Sequence, residues 1–204
     1  MAAQPPLGLR EQKKLDTRMA LSDAALMLMF EHGLDNVVRE DIAARAGVSV
    51  RTFTNYFANK YEAIAYRQIE RMRRTIALLG ARPAGEPLWE AVTAAVLLPL
   101  EDDGIGLHPP TREQLAEAGK LGGIPEVSAA FIREVAGELL AAVAARTGTD
   151  PDHDVYPHLV AGAVVVAYQA AIEVYVHADP PVLLTVPLRE AFARIAAGLP
   201  DPSA

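Results

Sequence analysis

The chain has 204 residues, of which 51% are hydrophobic and none is cysteine. This apolar content excludes a disordered chain, and the lack of cysteine excludes disulfide scaffolds, thiolate metal sites and cysteine nucleophiles. The formal net charge of −7 does not exclude nucleic acid as a partner, because residues 1–60 hold eight Lys/Arg against seven Asp/Glu and a local basic face is sufficient for binding.

The first quarter of the chain is predicted to form a loose arm and three helices. Pro and Ala dominate residues 1–9, and a helix follows over 11–32, which Gly33 can end in a left-handed cap. A short helix over 39–46 leads into a glycine turn, and Ser49 is the predicted N-cap of a third helix that ends near residue 57. The apolar stripe of the first helix is predicted to contain Leu15, Met19, Leu26, Met29 and Phe30.

Six further helices are predicted, separated by breaks rich in Gly, Pro and Asp. Their expected bounds are 61–79, 88–100, 111–121, 125–147, 155–177 and 186–198. Thr111 and Gln114 have the spacing of a capping box at the start of the third of these helices. Since no strand-like alternation of useful length occurs, the sequence predicts an all-α fold of about nine helices.

The segment 155–177 is apolar nearly all round and can be mistaken for a membrane span. It contains Gln169 and Glu173, which are costly at bilayer depth, and His158 and His177 lie near its ends. No secretory signal is visible in residues 1–10. We therefore interpret the segment as a buried helix and expect a cytoplasmic protein without a membrane partner.

The stretch from the second to the third helix has the pattern of a DNA-binding helix-turn-helix, in which a glycine turn joins two short helices. At about 100° per residue, Phe53 and Phe57 define the inner face of the third helix, and Arg51 and Asn55 point most directly away from it. In the major groove Arg suits guanine and Asn suits adenine. The alternative is an ordinary solvated helix of a bundle, but the Gly turn, the basic arm and the polar outer face occur together.

Three segments, "TRMALSDAALMLMFEHGLDNV" (17–37), "DIAARAGVS" (41–49) and "TFTNYFANK" (52–60), resemble the TetR family of bacterial transcriptional regulators. A fourth, "AARTGTDPDHDVYPHLVAGAVVVA" (144–167), is similar to C-terminal domains of actinobacterial members. The resemblance implies a helix-turn-helix domain over 1–60 and a helical effector-binding and dimerisation domain over 61–204.

Carried over to this chain, the resemblance puts Val50, Arg51 and Asn55 at base-reading positions. The positions that match phosphate contacts are Thr17, Thr52, Thr54, Tyr56 and Lys60. The chain departs from the family at Val38, where a capping Thr is usual, and at Arg39, which either reaches the DNA backbone or stays in solvent.

The resemblance also implies that the last two helices pair with those of a second copy, and that the other helices enclose an effector cavity. Candidate cavity residues, each of which can equally be plain core, are Met72, Ile76, Trp89, Leu97, Phe131, Tyr168 and Ile172. Glu173 is a candidate anchor for a polar effector group. Gln169, Glu173 and His177 form a polar line that can face the cavity, the second copy or solvent.

These observations favour a homodimeric repressor that a small hydrophobic effector releases from a palindromic operator in double-stranded DNA. An activator, or a regulator without an effector, is the alternative, and a helical enzyme or carrier is a more remote one. No catalytic residue, metal site or cofactor is expected, because no histidine pairs with a carboxylate at a recognised metal-helix spacing and no phosphate-binding glycine loop or nucleophile elbow occurs.

Overall fold

The computed structural model describes residues 8–104 and 108–201, and within these ranges the chain forms nine α-helices and one 3-10 turn. The all-α prediction is confirmed over this part of the chain, and most of the predicted arm lies outside it. The helices and the turn are α1 (Leu9–His32), the 3-10 turn (Leu34–Asn36), α2 (Arg39–Arg45), α3 (Val50–Tyr56), α4 (Lys60–Ala81), α5 (Leu88–Asp102), α6 (Arg112–Gly122), α7 (Pro125–Thr147), α8 (Val155–Val176) and α9 (Thr185–Ala196).

Side-chain caps define several helix starts, as their sequence signals predict. The Ser49 side chain accepts a hydrogen bond from the backbone N–H of Thr52 at the start of α3. Thr111 and Gln114 form the complete capping box of α6. Gly33 ends α1 with a φ of 84°, but its ψ of 145° lies outside the left-handed helical region that was predicted.

Two hydrophobic cores meet on α4. Ala63, Ile64 and Tyr66 in its first turns are buried with the side chains of α1, α2 and α3, whereas Ile69 and Met72 further along belong to the core built with α5, α7, α8 and α9. One continuous helix therefore carries the packing of both halves of the molecule.

The predicted apolar stripe of α1 is partly wrong. Phe30 is 44% exposed, whereas Leu21, Ala25 and Leu28 are buried. The buried face of α1 is set by α2 and α4, which pack on it, and helical periodicity cannot foresee the direction from which those neighbours approach.

Helix α8 packs on α6, α7 and α9, yet much of its surface stays uncovered within the subunit. Its length and apolar composition would allow it to cross a membrane, but a core helix of a soluble protein passes the same test. Within the subunit, 33% of its most apolar window is buried. The exposed apolar residues of these last helices form what we call the outer apolar face, which consists of Val155, Leu159, Val166 and Val174 on α8 and Val186 on α9.

Candidate nucleic-acid interface

The turn between α2 and α3 is held by backbone hydrogen bonds and by burial of the preceding helix. Gly47 has a φ of 68°, which side-chain-bearing residues rarely adopt. The N–H of Val48 donates to the carbonyl of Ala43 over 2.9 Å. Ile42 and Ala43 are fully buried, so α2 lies against the core, and the hydrogen-bonded turn fixes the direction of α3 relative to α2.

The inner face of α3 is anchored by aromatic packing. Phe53 and Phe57 are buried, as predicted, with their ring centroids 6.0 Å apart. The Phe57 ring meets Tyr66 of α4 edge-on at 5.6 Å. The guanidinium of Arg18 on α1 lies 4.2 Å from the centroid of the Tyr66 ring and 5.4 Å from that of Phe57, a cation–π arrangement. This stack ties α3 to both α1 and α4.

The outer face of α3 presents the two predicted base-reading side chains. Arg51 and Asn55 are exposed, and within the described residues neither side chain has a hydrogen-bond or ion-pair partner. Thr54 is exposed too, and its hydroxyl donates to the Arg51 carbonyl over 3.0 Å. The Thr52 hydroxyl, half-buried, shares a 2.9 Å hydrogen bond with Ser49. Val50 and Tyr56 are half-buried on the flanks.

Lys60 has partners that the sequence did not predict. Its ammonium donates to the carbonyls of Leu34 over 2.9 Å and Val37 over 3.0 Å, and lies 3.5 Å from that of Asp35. The carbonyls of Leu34 and Asp35 belong to the 3-10 turn, that of Val37 directly follows it, and the Leu34 carbonyl also accepts from the N–H of Val37 over 3.3 Å. The half-buried Lys60 is therefore engaged within the subunit, and its contact with phosphate stays a prediction.

The remaining predicted DNA contacts lie at the surface with local partners. The half-buried Thr17 donates its hydroxyl to the carbonyl of Lys13 over 2.8 Å. Arg39 is exposed and donates to Glu40 over 2.9 Å, and this hydrogen bond lowers the pKa of Glu40. Val38, at the N-cap of α2, provides no side-chain cap and is 45% exposed, as expected for the departure from the family pattern.

The N-terminal part of the molecule, which contains α1, α2 and α3, is also bound to α6 through an acidic side chain. The carboxylate of Glu117 accepts a 2.7 Å hydrogen bond from the backbone N–H of Leu34, which lowers the pKa of Glu117. Lys120, one turn further along α6, pairs with Asp35 at 3.1 Å and with Glu117 at 2.9 Å. No sequence signal marks this contact, because its partners are 83 residues apart.

The predicted cavity residues lie together in the C-terminal core. Met72, Leu97 and Tyr168 are buried in it, and the others are half-buried against it, namely Ile76, Trp89, Phe131 and Ile172. Trp89 stacks on Phe192 at 6.4 Å and lines an open groove between α5 and α9.

The polar line of α8 lies at the subunit surface. The Glu173 side chain is 75% exposed, so of the three surroundings left open by the sequence the subunit favours solvent or the second copy over the cavity. Gln169 and His177 are exposed with it, and His177 Nδ1 lies 2.8 Å from the Glu173 carbonyl. At about 100° per residue, Gln169 and Glu173 share a face of α8 with Leu159 and Val166. Over the described ranges, no group of three His, Asp or Glu residues is placed to hold a metal ion.

Two families match the chain in separate segments. Residues 21–64 match the family described as bacterial regulatory proteins, tetR family, and residues 121–200 match the family described as MftR C-terminal domain. Over 185 residues the chain is 32% identical to the HTH-type transcriptional regulator TcmR of Streptomyces glaucescens, an alignment that covers 84% of this chain and 79% of that protein.

Solved structures share the fold at low sequence identity. Thermus thermophilus FadR, a TetR family transcriptional repressor in complex with lauroyl-CoA, has a TM-score of 0.60 and 15% identity, covering 92% of this chain and 97% of that one. SmeT, the repressor of the Stenotrophomonas maltophilia multidrug efflux pump SmeDEF, has a TM-score of 0.56 and 17% identity, covering 93% of this chain and 100% of that one. At these identities the likeness concerns the fold alone.

Proposed function

Because the chain belongs to the TetR family of bacterial transcriptional regulators, we propose that it is a homodimeric repressor that leaves a palindromic operator when a small effector binds its C-terminal domain. The observation that carries the proposal is the exposed pair Arg51 and Asn55 on a helix whose opposite face is locked by Phe53 and Phe57. Residues 1–60 would bind DNA, and residues 61–204 would bind the effector and the second copy.

The geometry of α3 supports direct base reading. Arg51 and Asn55 lie one turn apart on a rigidly seated helix, and their hydrogen-bonding groups have no competing partner among the described residues. Arg can bind guanine O6 and N7 together, and Asn can bind adenine N6 and N7 together. Phosphate contacts that position the helix would come from its flanks. One such helix reads few base pairs, so a two-fold dimer that spans successive major grooves, about 34–36 Å apart, gives the required specificity.

The outer apolar face supports the homodimer. Leu159 and Val166 are 62% and 61% exposed, and Val174 is 60% exposed. Exposed apolar side chains that cluster on adjacent helices indicate an interaction surface. A face that pairs with its own copy would also satisfy the two-fold symmetry of a palindromic site. Gln169 and Glu173 share this face and would supply polar contacts to the second copy. A regulator of this kind acts on the chromosome, which supports a cytoplasmic location for the proposed function.

The path from effector to DNA would run through α4 and α6. Helix α4 carries residues of both cores, and Glu117 of α6 holds the backbone of Leu34. An effector would shift the spacing of the two α3 helices only if it binds one spacing more tightly than the other. The apolar C-terminal core favours a hydrophobic effector, and an activator or an effector-independent regulator is the alternative.

In vitro selection from a random duplex library tests the proposal without knowledge of the operator. We expect an inverted repeat whose half-sites are about one helical turn apart. Arg51→Ala should relax the preference at one base pair per half-site, at a cost of about 1–3 kcal/mol for the preferred base. Arg112→Ala, which removes an exposed arginine from α6, is the matched control and should select the same repeat. A protein that enriches no sequence is not a sequence-specific regulator.

A further inference from the structure

Three arginines on one side of α4 converge on a single carboxylate. Arg74 Nη2 donates to both oxygens of Asp103 over 2.6 and 2.7 Å, and Arg71 Nε donates over 3.1 Å. Arg67 Nη2 lies 3.8 Å from the same carboxylate. Asp103 directly follows the C-terminus of α5. We call Arg67, Arg71 and Arg74 the arginine cluster.

The arginine cluster carries more positive charge than its partners neutralise. Asp103 serves all three guanidinium groups, and the second carboxylate in reach is Asp23 of α1, 3.6 Å from Arg67. Three cations therefore face two anions among the described residues, although the side chains of Arg71 and Asp103 are only 10% and 9% exposed. Burial raises the pKa of Asp103, but the hydrogen bond from Arg74 and the charges of all three arginines outweigh burial and lower it.

A buried hydroxyl beside the cluster has no acceptor for its proton. Tyr168 of α8 is 7% exposed, and its hydroxyl makes no hydrogen bond of normal geometry within the described part of the chain. Burial raises the pKa of this hydroxyl, and the charge of Arg71, together with the donor groups of Gln68 and Arg71 close to the hydroxyl oxygen, offsets part of the rise. Buried polar groups are nearly always hydrogen-bonded, so a free donor next to surplus positive charge indicates a place for a further anionic group.

We infer that the arginine cluster and Tyr168 bind the carboxylate of an apolar organic acid, and that Asp103 occupies the place of that carboxylate in the unliganded protein. This inference rests on the proposed function, in which the C-terminal domain binds an effector. A guanidinium group can bind a carboxylate through two parallel hydrogen bonds, whereas Arg74 holds Asp103 through one nitrogen, Nη2, which donates to both oxygens. Arg74 is 42% exposed, so the cluster opens to solvent on its side. Met72, Leu100 and Tyr168 belong to one buried apolar core, so the chain of an apolar acid would pack against that core.

The same turn of α4 contacts the DNA-binding half. The backbone N–H of Arg67 donates to the Ser22 hydroxyl over 3.1 Å, and its side chain approaches Asp23. A bound acid that attracts Arg67 would weaken the attraction between Arg67 and Asp23. The packing of α1 on α4 would change as a result. Through the arginine cluster, the charge of the bound ligand would thus influence the position of the helices α1 to α3.

Thermal denaturation and calorimetric titration of the full chain with octanoate, compared with octan-1-ol, test this inference without DNA. Both probes are unbranched and have the same number of carbon atoms, and only octanoate has the carboxylate. We expect octanoate to raise the Tm and octan-1-ol at equal concentration to leave it unchanged. Arg71→Gln should abolish octanoate binding, and Tyr168→Phe should weaken it about tenfold, the effect of one hydrogen bond to a charged group. Arg112→Gln is the control and should bind octanoate as the wild type does.

Asp103→Asn separates the two roles that Asp103 can have. If Asp103 competes with the ligand, its removal should tighten octanoate binding about tenfold, as expected when a binding-competent state populated at roughly 10% becomes dominant. If Asp103 only braces the fold, the variant should bind octanoate no better, which overturns the inference. An equal Tm shift with octan-1-ol also overturns it. Operator selection that succeeds while octanoate is ignored would remove this site and leave the proposed function intact.

Discussion

Lys60 offers a test in which the stability of the protein should fall and the salt dependence of DNA binding should stay the same. Lys60→Met keeps the length of the side chain and removes an ammonium that donates to the carbonyls of Leu34 and Val37 over 2.9 and 3.0 Å. A hydrogen bond from a charged donor contributes about 1.5–3 kcal/mol, and carbonyls left unsatisfied add to the cost. Since both bonds are only part-buried, we use the lower figure and expect a loss of about 2–3 kcal/mol in the free energy of unfolding.

The loss should be visible as a lower melting temperature. For a chain of this size about 1 kcal/mol corresponds to roughly 2–4 °C, so the Tm should fall by about 4–12 °C. The salt dependence of operator binding, measured by fluorescence anisotropy below that temperature, should stay unchanged. Lys14→Met, in an exposed position on α1, is the control and should leave the Tm as it is.

The opposite result would refute the structural assignment of Lys60. A phosphate-binding lysine contributes about 0.9 to the slope of log K against log salt for each contact. If Lys60→Met lowered that slope and left the Tm unchanged, the ammonium would belong to the DNA interface, and its hydrogen bonds to Leu34 and Val37 would be incidental.

Three further predictions concern the dimer, the contact to α6 and the seat of α3. Val166→Asp should give a monomer in analytical ultracentrifugation and weaken operator binding, whereas Ile132→Asp, at a similarly exposed position on α7, should do neither; a dimeric Val166→Asp protein would contradict the assigned interface. Glu117→Gln should lower the Tm at pH 7. Because the folded-state pKa of Glu117 is lowered, this difference in Tm from the wild type should be present above the ordinary carboxyl pKa and should disappear as the pH falls through the lowered pKa. A difference in Tm that is constant with pH would exclude the ionic contact. Phe53→Ala removes a fully buried ring and should cost about 3–5 kcal/mol of unfolding free energy, measured by urea denaturation, and a cost below 1 kcal/mol would mean that the ring does not seat α3.

The predicted elements that the structure confirms depend on local chemistry. The Ser49 cap, the Thr111 capping box and the glycine turn at Gly47 each involve residues within a few positions of one another. Helix bounds follow from such caps and from breaks rich in Gly and Pro, so α7 has the predicted range and α2 ends one residue from it. The outward pair Arg51 and Asn55 was predictable for the same reason, because Phe53 and Phe57 identify the buried side of the helix.

The sequence did not predict contacts between distant segments. The partners of Lys60 lie 23 to 26 residues away, so its hydrogen bonds to those carbonyls could not be read from local spacing. Phe30 has the spacing of a core residue and is exposed because α2 and α4 cover a different side of α1. The sequence left Glu173 open to the cavity, the second copy or solvent, and the packing of α8 leaves it at the subunit surface.

By itself the sequence determined the helices, their caps and the polar side of α3, since periodicity and capping act over one or two turns. Only the tertiary structure decided which charges meet, because an ion pair depends on where the chain returns in space. The Glu117 contact to Leu34 and the three arginines around Asp103 are of this kind. The Glu117 contact links the two halves of the molecule and the arginines link α4 to the end of α5, and no spacing in the sequence marks either contact.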